Sequence, residues 1–217
     1  MQTLTHKIIA LGLANQVLTD TQLARIISGS PQRRHSLVNR ALKARELLPL
    51  RRGCYLLAEF WRDYPSHPFA LAQAFVPGSY VSFETALAHY GWIPEAVHII
   101  ASVTPGRKSL NYEHPVFGSF YFHPLAIAPG YFQELVDRLK IMEQTILVAS
   151  PIRALLDLVC LRKWEWQGMG WLLDGLRIDY ESLQEVTGAQ LSLLEDRVYK
   201  QNRVKAFLTS LAKELGK

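Results

Sequence analysis

No apolar run in these 217 residues approaches the ~18–20 that a membrane-spanning helix requires, so no span is expected. Cysteine occurs twice, at Cys54 and Cys160, with neither disulfide-framework nor metal-site spacing. The N-terminal stretch MQTLTHKII lacks the basic-then-apolar plan of a signal peptide. These absences favour a reducing cytoplasm. Seven histidines are present, but no pair stands at metal-ligand spacing beside a carboxylate. There is no phosphate loop, no Rossmann glycine set, no nucleophile elbow, no repeat and no low-complexity segment. No cofactor, no metal and no catalytic residue is therefore expected. Acid is scarce in one place only. Residues 1–62 hold three carboxylates (Asp20, Glu46, Glu59) against ten Lys and Arg, a net +7. The remainder holds 16 acids against 14 bases, so the overall +5 is concentrated in the first third. That partition suits a polyanion-binding first segment.

The stretch that organises this segment is SPQRRHSLVNRALKARELLPLRRGCY, Ser30 to Tyr55. Ser30 suits an N-cap, and Pro31 suits the first helical position, where its missing N–H has no partner. From Pro31 to Leu47 no Gly or Pro interrupts the helical pattern. At 100° per residue, Leu37, Val38, Ala41 and Leu42 fall on one side. Gln32, Arg33, Ser36, Asn39, Arg40 and Lys43 fall on the other, a face with no acid and three cations. Gln, Asn, Ser and Arg are side chains that read base edges in a major groove. Two short apolar runs around Arg51-Arg52-Gly53 then predict a tight hairpin, with Gly53 supplying the permissive φ.

Before this stretch the pattern predicts a helix over Thr3–Ala14, broken at Asn15 and Gln16. Thr19 and Gln22 fit a capping box for a short second helix. Gly29 fits its C-terminal cap. Helix, helix, tight turn, basic helix and basic-tipped hairpin is the order of a winged helix-turn-helix.

Residues 61–67 read as a link whose Trp61 and Tyr64 pack on a neighbouring domain. A mixed second part follows. Pro68–Phe75 is predicted as a helix, Tyr80-Val81 as a short strand, and FETALAHY as a helix after Ser82. Strands are predicted over Val97–Val103, Val116–His123 and Ile141–Val148. A helix over Ser150–Arg162 follows, then helical pieces from Trp164 onward. The fold class is α+β, a winged helix-turn-helix at residues 1–60 and a mixed α+β domain with a helical end at 68–217.

The acids of the second part are scattered. Asp157 lies on the apolar stripe ALLDLV, where a partnered structural carboxylate is commoner than a catalytic one. Helical spacing predicts the ion pairs Arg153/Asp157 and Asp174/Arg177. His89 reads as a hydrogen-bonded histidine at a helix end. Thr104 to Lys108 is a basic turn, open to a solvated role or to contact with a phosphate or acidic partner.

These residues carry a resemblance. The N-terminal segment ending RRGCYLL, then HPFALAQAFVPGSYVSFETALAHYGWIPE, SVTPGR, FGSFYF and ILVASPIRALLDLVCL, resembles the AbiEi-family antitoxins and transcriptional regulators of bacterial type IV toxin–antitoxin, or abortive infection, systems. The resemblance covers most of residues 1–162. SYVSFETALAHYG and SPIRALLDLV are its most specific blocks. It implies a winged-helix repressor of its own operon. It also implies a second domain that counteracts a nucleotidyltransferase-like toxin without a stable complex. No catalytic residue is carried over.

The expectation is therefore a repressor and antitoxin that is not an enzyme. Its DNA partner is its own promoter, met as inverted repeats by two copies. Arg25, Arg34, Arg51 and Arg52 are expected on phosphates, and Gln32, Arg33, Ser36, Asn39 and Arg40 on base edges, with Lys43 beside them. The alternative is a metal-dependent nuclease brought to DNA by the same module, which would need carboxylates gathered around a metal.

Overall fold

The computed structural model describes residues 3–217 and falls into two units. One runs to Phe75 and takes in Met142–Gln144, and the other holds Val76–Ile141 and Thr145–Lys217. The fold is mixed α+β. Among the described residues, no helix is long and apolar enough to cross a membrane.

In the first unit, α1 (Leu4–Ala10) is capped by Thr3, whose hydroxyl accepts from the His6 N–H. It ends earlier than the periodicity suggests. Gly12 takes φ +67°, and the Leu13 and Gly12 amides bond back to Ile8 and Ile9, a Schellman closure. A two-residue strand, β1 (Leu18–Thr19), leads into α2 (Asp20–Ile26). The capping box between Thr19 and Gln22 forms in both directions. The next helix, α3 (Pro31–Lys43), begins with the Ser30 hydroxyl accepting from the Arg33 amide at 3.3 Å. α3 stops before the end of the Gly- and Pro-free stretch that runs to Leu47. Arg45 adopts φ +55°, and the Glu46 and Arg45 amides close on Ala41 and Leu42. That is a second Schellman ending, made without glycine. The hairpin β2 (Leu47–Arg51) and β3 (Cys54–Leu57) turns over Arg52-Gly53, and β1 pairs with β3 to give the order β1-β3-β2. The apolar faces meet in one core around Leu4, Ile8, Leu23, Val38, Leu47 and Leu57, with Trp61 packed against it. The anticipated link, residues 61–67, lies within this unit, which ends with α4 (Pro68–Phe75).

The second unit is built on a six-stranded sheet. Its strands are β4 (Tyr80–Val81), β5 (Ile99–Val103), β6 (Leu110–His114), β7 (Gly118–His123), β8 (Val136–Ile141) and β9 (Gln144–Ala149), in the order β6-β7-β5-β4-β9-β8. β6 and β8 carry no strand prediction, because their polar residues leave only a weak alternation. α5 (Phe83–His89) lies between β4 and β5 in the chain, and α6 (Pro151–Arg162) follows β9. Every residue of α6 from Ile152 to Cys160 is buried, so this helix is enclosed all round. Beyond it the chain is in short pieces: two π-helical turns (Trp171–Gly175 and Leu194–Val198), α7 (Tyr180–Gln184), α8 (Gly188–Leu193) and then α9 (Asn202–Leu215).

Candidate nucleic-acid interface

α3 seats Val38 and Ala41 in the core, with Leu37 and Leu42 beside them. The opposite side is therefore turned to solvent. Gln32, Arg33, Ser36, Arg40 and Lys43 are exposed there. Asn39 is half-buried, and its amide contacts the His35 ring at 3.2 Å. These six side chains form one continuous helix face. Arg25 is exposed in the last turn of α2.

The remaining cations sit differently. Arg34 lies at the N-terminal end of the buried side of α3, half-buried in a cleft of about 390 Å³ that also holds Asp20, Gln32, His35, Asn39 and Tyr55. Arg51 is half-buried, and its guanidinium donates to the Phe75 carbonyl at the end of α4 at 3.1 Å. Arg52 is exposed at the hairpin tip. The two adjacent arginines of the hairpin thus have different surroundings.

Asp20 also belongs to this setting. Its amide donates to the Gly53 carbonyl at 3.0 Å, which ties the start of α2 to the hairpin tip. A Cβ on Gly53 would lie 2.8 Å from the exposed Asp20 carboxylate, which would have to move, and Gly53 has φ +72°, so glycine is favoured there. Burial, and then the Asp20 carboxylate, raise the Tyr55 phenol above its ordinary value. The sequence marks Asp20 only as the first residue of a helix; its place beside the hairpin depends on the β1–β3 pairing. A second acid, Glu46, lines a groove with Arg40 and accepts from the Thr5 hydroxyl at 2.6 Å. The outer face of α3 stays free of carboxylates, while its two flanks do not.

In the second unit Asp157 is wholly buried and fully engaged. One oxygen accepts from Arg153 Nε (3.0 Å) and the Tyr199 hydroxyl (2.7 Å), the other from Tyr80 (3.0 Å) and Ser82 (2.7 Å). Arg153 also donates to the Tyr80 hydroxyl (2.8 Å) and the Glu134 carbonyl (2.9 Å). Burial drives both phenols well above their ordinary range, and Asp157 adds to it, so they remain donors. Burial alone would weaken the Arg153 charge, but Asp157 and the tyrosines outweigh it and raise its pKa. The hydrogen bonds of this cluster tie β4, α6, the Tyr199 segment and the Glu134 carbonyl together. Ser82 stands at the N-cap of α5 but gives its hydroxyl to Asp157 rather than to the helix.

The expected Asp174/Arg177 pair does not form. Arg177 has φ +56° and lies past the helical turn that ends at Gly175, and it meets Glu95 at 3.2 Å instead. His89 is exposed at the end of α5, edge-on to Tyr90. Arg107 and Lys108 are exposed in a turn whose Thr104 hydroxyl accepts from the Gly106 amide at 3.0 Å. Among the described residues, no group of three or more His, Cys, Asp or Glu side chains is placed to hold a metal ion.

No protein-family model matches the chain, and no curated protein matches it. Among solved structures, the chain is similar to the RV2827C protein from Mycobacterium tuberculosis, with a TM-score of 0.56 and 16% identity, over 98% of this chain and 78% of that one. At that identity the likeness is one of fold.

Proposed function

We propose that this chain is a DNA-binding transcriptional repressor and antitoxin of a type IV toxin–antitoxin system, of the AbiEi kind. In this reading residues 1–60 act as a winged helix-turn-helix and α3 enters the major groove. The observation that carries it is the outer face of α3. Gln32, Arg33, Ser36, Asn39, Arg40 and Lys43 line one side of a helix whose other side is fixed in a core, so the reading face is rigidly presented. Arg25 and Arg52, exposed, and Arg34, in the adjoining cleft, are the phosphate-holding candidates. Arg51 is a weaker one, since part of its guanidinium already serves Phe75. The charge partition supports the same reading. The antitoxin half is supported by the resemblance of SYVSFETALAHYG and SPIRALLDLV. Its partner is a nucleotidyltransferase-like toxin, opposed without a stable complex.

Titration of the full chain against its own promoter and a random duplex tests the first half. Arg40→Ala is expected to weaken the promoter complex by about 1–3 kcal/mol if Arg40 reads a guanine, with a much smaller loss on random DNA. Equal losses on both duplexes would reduce Arg40 to a phosphate contact. No affinity for any duplex would refute the reading. Co-expression with the adjacent toxin tests the second half: growth is rescued by the full chain and not by a first-unit fragment, provided that fragment is shown to fold. Rescue by that fragment alone, or no rescue by the full chain, would end the antitoxin assignment.

A further inference from the structure

A cavity of about 720 Å³ opens in the second unit on the sheet face that carries Ala101, Tyr121 and His123, beneath the start of α5 and the end of α6. Its size is that of a small-molecule site. Three observations define what would fit it.

The first is shape. Ala101 and Tyr121 are register partners on β5 and β7, so the small alanine leaves a hollow beside the tyrosine ring. The Tyr121 hydroxyl is turned away to Glu113 at 3.3 Å, so the cavity meets the ring. His123 forms part of the wall and is backed edge to face, at 5.7 Å, by the wholly buried Phe83. Phe83 is held at φ +57°, a left-handed conformation unfavourable for a buried aromatic. Thr85 locks the arrangement, accepting from the Ala101 amide (2.9 Å) and donating to the Ile99 carbonyl (2.8 Å).

The second is charge. The fixed charges at the rim are Glu84 and Arg162, one of each sign, 3.3 Å apart. Burial, and then Arg162, lower the His123 pKa, against the opposing pull of Glu84, so the imidazole stays neutral at neutral pH. A ligand with a net charge would meet a balanced site.

The third is polarity. Glu84 and Arg162 share a single contact and are both partly exposed. A carboxylate and a guanidinium side by side present an acceptor beside a donor. The complement is an N–H beside a C=O.

We propose that this cavity binds an uncharged, planar, fused-ring heteroaromatic with a lactam edge, the ring lying on Ala101 against Tyr121 and His123 and the edge meeting Glu84 and Arg162. The site lies wholly in the second unit and stands apart from the DNA reading.

Fluorescence titration of the full chain with 2-quinolone tests it, with N-methyl-2-quinolone (carbonyl kept, donor removed) and 2-naphthoate (same ring size, anionic) as comparators. The expected result is saturable one-to-one binding of 2-quinolone and at least tenfold weaker binding of both comparators. Glu84→Ala and Arg162→Ala, on a partly exposed pair, should each weaken 2-quinolone at least tenfold while leaving the urea midpoint in place. Ala101→Phe, shown to be folded by circular dichroism, should abolish binding. Absence of saturable binding, equal binding of either comparator, or wild-type binding by folded Ala101→Phe would overturn the proposal.

Discussion

Replacing Asp157 by alanine is expected to be among the most damaging single changes in the second unit. The carboxylate accepts four hydrogen bonds, two per oxygen, from Arg153, Tyr199, Tyr80 and Ser82. Its removal strands the Arg153 guanidinium, which is wholly buried, with only the Glu134 carbonyl and the Tyr80 hydroxyl as partners. Breaking a buried pair from one side costs about 3–5 kcal/mol, because the remaining charge is uncompensated. Tyr199→Phe removes one bond to a charged acceptor and is expected to cost about 1.5–3 kcal/mol. The double change Arg153→Met/Asp157→Leu should cost less than the two single changes added together, since it leaves no stranded charge. Urea unfolding followed by tryptophan fluorescence is the assay, as Trp92, Trp164, Trp166 and Trp171 all lie in the second unit. With a urea slope of about 1–3 kcal/mol per molar, the Asp157→Ala midpoint should fall by roughly 1 M or more. A loss below about 1 kcal/mol, or additivity of the Arg153 and Asp157 changes, would refute the account of the cluster as one coupled unit.

Three further outcomes are expected. Arg52→Ala should lower the salt slope of DNA binding by about 1, whereas Arg51→Ala should leave the slope nearly intact and cost about 1 kcal/mol of stability, because Arg51 serves the Phe75 carbonyl; equal slope losses would place both on phosphates. Gly53→Ala should destabilise the first unit by about 1–2 kcal/mol, from the left-handed φ and the approach of Asp20, and Asp20→Ala in the same chain should restore part of that; full tolerance of Gly53→Ala in urea melts would contradict the turn geometry. His123 has a folded pKa below its ordinary 6.5, chiefly from burial and then from Arg162, so its contribution is intact above about pH 6.5 and is lost as pH falls through the folded value. His123→Gln should therefore flatten the decline in stability between pH 7.5 and 5, and an unchanged pH profile would remove His123 as its source.

Helix beginnings were legible because capping is local. Thr19 with Gln22, and Ser30 with Pro31, contain in four residues all that the geometry needs. The end of α3 was not, because its left-handed residue is Arg45, a type that announces no stop. The i, i+4 spacing exposed the Arg153/Asp157 pair, yet Tyr80, Ser82 and Tyr199 join it from 42 to 77 residues away, beyond the reach of any local pattern. The same limit applies at the candidate interface. Periodicity separated the two faces of α3, but it gave Arg51 and Arg52 equal standing. Only the tertiary position of the Phe75 carbonyl tells them apart.

The six-stranded sheet is joined across its middle by β4, which is two residues long. On one side Tyr80 and Val81 pair with Val103 and Ser102, and on the other Val81 meets Val148. The first closure spans about twenty residues and the second sixty-seven, from Val81 to Val148. Loop-closure entropy is paid before such distant pairings give any return, so the two flanks of the sheet are expected to assemble on separate schedules, with their union as the slow event in refolding. A conservative truncation such as Val148→Ala, at the seam, should accelerate unfolding while leaving the refolding rate of the β6–β7 hairpin unchanged. The order of assembly in this sheet is thus expected to follow the unequal chain lengths that the two pairings of β4 must close.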